Sequence, residues 1–252
     1  MKVGFIGTGN MGGALARAAA KGGHTLLLAN RTPAKAAALA KELGGTVCPN
    51  AEAAEKAELL FLGVKPQGLP GLAEELAPVL QARKGNAPVV VSMATAVTLR
   101  ELDAMLGGGL PLIRIMPNTP AAVGAGTILY AAQNVTDAQL NAFRAVLAQA
   151  GLLLPLPEAQ IDAASAISGC GPAFCFQFAD ALALGGVRAG LSYPDACRLA
   201  AQTMLGAAEM LLQGGEAPDV LKMRVCSPAG TTIEGVLALE QGGFSYTVQN
   251  AV

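Results

Sequence analysis

Lys2-Val-Gly-Phe-Ile-Gly-Thr-Gly-Asn-Met-Gly-Gly13 opens the chain, and the fold is read outward from it. The first five residues predict a short strand, the glycines a tight turn, and Ala14 to Lys21 a helix. Gly7-x-Gly9-x-x-Gly12 alone is a weak signal. A strand before it and a helix after it make it a dinucleotide-binding turn. The first Gly allows the turn, the second lets backbone approach a pyrophosphate, and the third packs helix on strand.

A second strand, Thr25–Ala29, ends in Asn30-Arg31-Thr32. NAD-preferring domains usually place an acidic residue here, to hold the ribose 2′-hydroxyl. An amide, a guanidinium and a hydroxyl suit a 2′-phosphate instead, so NADPH is expected over NADH. The bland alternative for Arg31 is a solvated loop side chain. His24, the only histidine, lies in the turn before this strand, far from the nucleotide edge, and is expected to be a surface residue.

The pattern then continues in alternation. Helices are expected at Pro33–Leu43, Ala51–Lys56, Leu69 to Ala82 and Asp137–Ala150. Strands are expected at Thr46–Cys48, Leu59–Val64, Pro88–Ser92, Leu112–Met116, Thr127–Ala131 and Leu152–Leu156. Continuous apolar runs such as Leu59-Leu-Phe-Leu62 fit strands covered on both faces. Strands alternating with helices predict a doubly wound parallel sheet. From Glu158 onward the β pattern vanishes, and Ile161–Ile167, Pro172–Leu184, Tyr193–Gln213 and Thr231–Gln241 read as helices. The expected domains are residues 1–157, dinucleotide-binding, and residues 158–252, all-α.

Composition removes several classes of function. Seventeen basic residues against 18 acidic give a net charge of −1, with no basic tract for nucleic acid or an acidic membrane surface. Five cysteines, odd in number and irregularly spaced, suit reduced thiols in a cytoplasm. Cys170 and Cys175 lack a nearby His or third Cys, so no metal site is expected. Ala163–Val187 holds one charge, Asp180, in 25 residues, long enough on paper to span a bilayer. Gly169, Gly171 and Pro172 interrupt it, predicting only a short helix after Pro172, buried in a core or between subunits. A strand by residue 3 leaves no room for a signal peptide.

One stretch in the second half carries chemistry. Lys222-Met-Arg-Val-Cys-Ser-Pro-Ala-Gly-Thr-Thr-Ile-Glu234 reads as a loop, 225–230, entering a helix near Thr231. Small side chains there let backbone N–H groups and the hydroxyls of Ser227, Thr231 and Thr232 converge. Free N–H groups and the positive end of a helix dipole favour a carboxylate or phosphate. An ordinary hydroxyl N-cap is the competing explanation.

These motifs together resemble the pyrroline-5-carboxylate reductase family over nearly the whole chain. The resemblance rests on Phe5–Met11, Val64-Lys-Pro-Gln67, Arg114-Ile-Met-Pro-Asn-Thr-Pro120 with Val123–Gly126, Asp162, Ser168–Phe174, Gln202–Ala208 and the loop before Thr231. It implies an N-terminal Rossmann-type domain, a C-terminal helical dimerisation domain, and reduction of 1-pyrroline-5-carboxylate to L-proline with NAD(P)H. It implies cofactor contacts from Gly7, Thr8, Gly9, Asn10, Met11, Gly12, Asn30, Arg31, Thr32, Asn50, Gly63, Val64, Lys65 and Pro66. Met93, Ala94, Thr95, Asn118 and Arg224 extend that set. Substrate would meet Glu158, Ser227, Gly230, Thr231 and Thr232, with Thr232 catalytic. Relatives form interlocked dimers through the C-terminal helices, often assembled further, so a homodimer or higher homo-oligomer is implied.

The chain departs from the family pattern in places. Ala229 replaces a usual Gly, which excludes a positive φ there unless strain is tolerated. Arg224 stands where an Asn often serves the cofactor, and Cys170 and Phe174 replace a Ser and a Tyr. Relatives usually continue beyond the position of Val252 with more helix. Reducing a cyclic imine needs a hydride and a protonated nitrogen but no strong side-chain acid, and residues 151–187 contain no Lys, Arg or His. A 3-hydroxyacid dehydrogenase would be expected to place a Lys near Pro172. A related NADP-dependent imine or 3-hydroxyacid reductase, and a non-catalytic NADP sensor, are the alternatives.

Overall fold

The computed structural model describes residues 1–252, which divide into two compact units, Met1–Pro172 and Ala173–Val252. The first unit is a three-layer α/β structure. Its strands are β1 (Lys2–Ile6), β2 (Thr25–Ala29), β3 (Thr46–Val47), β4 (Leu59–Leu62), β5 (Val89–Ser92), β6 (Leu112–Pro117), β7 (Gly126–Gln133) and β8 (Gly151–Pro155). They form one sheet in the order β3-β2-β1-β4-β5-β6-β7-β8. The strand order reverses beside β1, where the first crossovers go one way and β4 starts the other.

Side-chain alternation along the strands feeds two separate cores. Val3, Phe5, Leu26, Leu28, Leu59, Phe61, Val89 and Val91 face one side. There they meet α1 (Asn10–Lys21), α2 (Pro33–Leu43) and α6 (Asp137–Leu147). Ile6, Leu27, Leu60, Leu62 and Val90 face the other side. They pack on α3 (Asn50–Lys56), α4 (Leu69–Ala82), α5 (Leu99–Met105) and α7 (Glu158–Ser168). Phe5 and Phe61 stack at 4.6 Å across adjacent strands. Strands buried on both faces must read as near-continuous apolar runs, as these do.

The sheet is not wholly parallel. β6 pairs antiparallel with β7, in the register Arg114↔Ala131, whereas every other neighbouring pair is parallel. The expected doubly wound parallel sheet is present, with this one antiparallel joint. Only residues 118–125 connect the two strands, too few for the crossover that parallel neighbours require.

Expected and observed boundaries coincide at β1, β2, α2 and α4, and at the helix Thr231–Gln241. Elsewhere they shift by a few residues. Helix α7, expected in the second domain, packs on the sheet through buried Ile161 and Ser165, which places it in the first compact unit.

The second unit contains α8 (Gly171–Arg188, of which residues from Ala173 belong here), α9 (Tyr193–Gly214), α10 (Pro218–Val225), α11 (Thr231–Gln241) and α12 (Phe244–Ala251). Helix α8 has 18 residues, so the short helix expected after Pro172 is corrected: the glycines and proline sit before and within its first turn, where a proline costs no intrahelical bond. Helices α5, α10 and α12 were not expected. Only alanines 183, 196 and 200 are buried in this unit, and α8 approaches α9 closely at Gly186, where a Cβ would lie 3.1 Å from that of Ala196. Phe176, Leu199, Leu205, Met210 and Leu212 are exposed, Leu212 at 79%. An apolar cleft of about 450 Å³ lies among Phe174, Phe178, Leu182, Leu239, Phe244 and Val248. The stretch Glu158–Arg188 is long and apolar enough to cross a membrane by length and composition.

Candidate active site

The glycine turn is built for close backbone approach. Gly7 has φ +98°, and a Cβ there would sit 2.4 Å from the Gly63 carbonyl oxygen. A Cβ on Gly12 would lie 2.0 Å from the Gly7 carbonyl oxygen. Both glycines are therefore fixed by the protein's own packing. Gly9 differs: a Cβ there meets nothing within 4 Å, at ordinary dihedrals of φ −71° and ψ −165°. It is the N-cap of α1 and provides no side-chain cap, so the first-turn N–H groups of Asn10, Met11 and Gly12 are left without one. An uncapped helix start behind a glycine turn fits the pyrophosphate of a dinucleotide.

Asn30 ties the turn to the end of β2. Its Oδ1 accepts from the Thr8 N–H at 3.0 Å, and its Nδ2 donates to the Thr32 carbonyl at 3.0 Å. The Thr8 hydroxyl is buried without a partner. Arg31 and Thr32 are exposed, and Arg31 makes no ion pair with any acid. An exposed, unpaired guanidinium is free to meet an anionic group. Gly63 follows β4, whose carboxyl end carries Val64, exposed Lys65 and Pro66. Met93, Ala94 and Thr95 follow β5, at the same edge. Asn50 starts α3, and its Nδ2 donates to Glu75 Oε2 at 3.0 Å. His24 stands at the opposite edge, before β2, and partial burial lowers its pKa.

At the carboxyl end of β6 the side chains are spent internally. Asn118, 8% exposed, accepts the Thr127 N–H at 2.8 Å and donates to the Ser168 carbonyl at 2.8 Å. Arg114, 3% exposed, donates to Asp162 at 2.6 Å and Glu158 at 3.4 Å. The Leu99 N–H donates to the same Glu158 Oε1 at 2.7 Å. A buried guanidinium needs such partners, because an uncompensated buried charge is strongly destabilising. The sequence did hold a signal for this cluster: Arg114 is a lone charge inside the apolar run Leu112-Ile-Arg-Ile-Met116.

The hydroxyl loop belongs to the second unit. Gly230 is the N-cap of α11, without a side-chain cap; a Cβ on it would lie 2.3 Å from the Ser227 hydroxyl. Ser227, Thr231 and Thr232 are exposed, and none of their hydroxyls makes an internal hydrogen bond. The ordinary hydroxyl N-cap is thus absent, and the helix start is left with unused donors. Ala229 adopts φ +55°, so the strain foreseen for a residue with a Cβ is accepted. Arg224, on α10, lies in a bidentate pair with Glu216, both contacts 2.5 Å.

Comparison with known proteins bears on both units. Residues 158–252 match the family model for pyrroline-5-carboxylate reductase dimerisation, and residues 2–96 match that for NADP oxidoreductase, coenzyme F420-dependent. The pyrroline-5-carboxylate reductase of Aquifex aeolicus is 34% identical over 256 residues, covering all of this chain and 94% of its own. Among solved structures, the pyrroline-5-carboxylate reductase of Coxiella burnetii superposes with a TM-score of 0.91 at 31% identity, covering 99% of this chain and 93% of its own. The pyrroline carboxylate reductase of Plasmodium falciparum, solved with NADP bound, gives a TM-score of 0.86 at 30% identity, covering 100% and 94%.

Proposed function

Since the chain belongs to the pyrroline-5-carboxylate reductase family and reduces 1-pyrroline-5-carboxylate to L-proline, we propose how its own residues carry that reaction. Full-length similarity to these reductases sets aside the other reductase and sensor readings. The observation that carries the mechanism is the uncapped start of α11, with three hydroxyls free of internal partners.

The backbone N–H groups at Thr231 and Thr232, with the Ser227 hydroxyl, hold the substrate carboxylate; the helix dipole favours that charge. The Thr232 hydroxyl holds the ring nitrogen. Gly230 is required because a side chain there would collide with Ser227. When bound, the reduced nicotinamide supplies the hydride. The imine nitrogen brings its own proton, which suits residues 151–187, free of Lys, Arg and His. Catalysis then rests mainly on orienting the ring.

Gly7, Thr8, Gly9, Asn10, Met11 and Gly12 form the pyrophosphate turn, and Gly63–Pro66 with Met93–Thr95 line the same sheet edge. Asn50 completes the set from α3. Asn30, Arg31 and Thr32 prefer NADPH over NADH. Arg224, already paired with Glu216, needs no nucleotide to satisfy it. A functional boundary at residues 157/158 is supported by the family model, which covers residues 158–252.

The exposed apolar helix faces of the second unit support a homodimer through the C-terminal helices, since an obligate interface resembles a divided core. They supply the partner for the apolar stretch Glu158–Arg188 in place of a lipid bilayer. Five unpaired cysteines fit the cytoplasm. Light scattering should report a dimer or a multiple; an active monomer at micromolar concentration would oppose this.

Thr232→Ala tests the mechanism. Loss of one hydrogen bond made mainly in the transition state costs about 1–3 kcal/mol. It should lower kcat and kcat/KM together by roughly ten- to a hundredfold, with NADPH affinity unchanged. A folded variant with full turnover would make Thr232 structural.

A further inference from the structure

Two side-chain clusters at the carboxyl edge of the sheet connect α7 to loops of the dinucleotide unit. Arg114 lies in register with Ser92, the last residue of β5, immediately before Met93–Thr95. It holds Asp162 and Glu158 on α7, and Glu158 in turn holds the Leu99 N–H at the far end of that loop. Four residues beyond Arg114, Asn118 fastens the end of α7 through the Ser168 carbonyl and the start of β7 through Thr127. Thus the β5–α5 loop is pinned at both ends, by strand register at Ser92 and by Glu158 at Leu99.

Thr98 already caps α5 through the Glu101 N–H, and Glu101 accepts from Thr98 in return. The additional bond from Glu158 comes from 59 residues away. It joins a loop of the dinucleotide unit to the first turn of α7. Local capping does not require it; fixing the loop relative to α7 does.

Resting on the reductase reading above, we infer that Glu158 is a positioning residue and not a substrate ligand: oriented by Arg114, it holds the Met93–Thr95 loop in its cofactor-binding form through the Leu99 amide. Glu158 was expected from the sequence to contact substrate. Its Oε1 is instead engaged by two donors of the protein, and its side chain is 28% exposed. Asp162, at 2.6 Å, remains the principal partner of Arg114, so removing Glu158 does not strand the buried guanidinium.

Glu158→Gln and Glu158→Ala separate the possibilities. The amide oxygen of Gln still accepts the Leu99 N–H, so Glu158→Gln should keep the loop in place and hold kcat and the NADPH Kd within about threefold. Glu158→Ala should weaken NADPH and lower kcat by roughly tenfold each, the effect of one lost charged hydrogen bond, and leave KM for pyrroline-5-carboxylate near wild type. In the ligand-free protein the Leu99 amide should exchange faster in Glu158→Ala but not in Glu158→Gln. Adding Arg114→Met to Glu158→Ala should cost less than the product of the single effects, since the two act through one contact. Should Arg114→Met fail to fold, the two Glu158 variants decide the matter by themselves. If both raise KM for the substrate with NADPH affinity intact, Glu158 is a ligand and the inference is overturned. A lowered Tm with kcat, Kd and Leu99 exchange unchanged would overturn it too, as a purely structural role. Wild-type turnover of the substrate tests the reductase reading separately, and the exchange measurement does not depend on it.

Discussion

Gly9→Ala is expected to weaken cofactor binding strongly without disturbing the fold. In most glycine turns these effects are inseparable, and Gly12 shows why: its Cβ would stand 2.0 Å from a backbone oxygen, so substitution must deform the turn. At Gly9 no protein atom lies within 4 Å of the added carbon, and φ −71° is open to any residue. Restricting the unfolded chain favours Ala by about 0.4–1 kcal/mol. Ala is the poorer N-cap by a comparable few tenths to 1 kcal/mol, so Tm should stay within about 2 °C. The methyl instead occupies the space before the free N–H groups of α1. A pyrophosphate pushed away loses one or two charged hydrogen bonds, about 2–4 kcal/mol in all, or roughly thirty- to a thousandfold in Kd. Nicotinamide fluorescence suits the titration, because the chain has no Trp to interfere. A Kd within threefold of wild type at unchanged Tm would refute the placement of the pyrophosphate.

Three further outcomes follow from particular residues. Arg31→Ala should weaken NADPH tenfold or more, a charged hydrogen bond being worth about 1.5–3 kcal/mol, with NADH hardly affected in parallel titrations; equal losses would sink the 2′-phosphate assignment. Ala229→Gly should relieve a left-handed backbone costing about 1–2 kcal/mol, less the 0.4–1 kcal/mol that Gly adds to the unfolded chain, raising Tm by about 1–3 °C with KM unchanged. A Tm lowered by 2 °C would contradict φ +55° at that position. Glu101 accepts hydrogen bonds from Thr98, which hold its pKa below the ordinary 4.5. Its contribution to stability is therefore present above that pH and lost as pH falls through the lower folded value, so Glu101→Gln should flatten the acid limb of an unfolding profile. An identical acid limb would argue against the capping box.

The elements legible in the sequence were those fixed by local rules. Strands such as Leu59–Leu62 are apolar on both faces because helices cover both, and helices such as Pro33–Leu43 carry a Pro at the start and a Gly in left-handed conformation at the end. Helix α5 escaped because seven residues are too few for periodicity, although Thr98-x-x-Glu101 is a capping-box signal. Helix α10 follows Pro218 and mixes charged with apolar residues, so no face declared itself. The reversal at β7 was readable only from the length of its connection. In the site, the glycine turn was evident because backbone geometry dictates it, and the strain at Ala229 because a Cβ stands there. The ion cluster was not evident, since Arg114 meets Glu158 and Asp162 only after 44 and 48 residues of chain have folded back.

The most direct test of the account is NADPH oxidation by the purified protein with and without 1-pyrroline-5-carboxylate, with proline measured as product. The account predicts oxidation only when the imine is present, with one L-proline formed per NADPH consumed. A folded protein that binds NADPH yet forms no proline would contradict it.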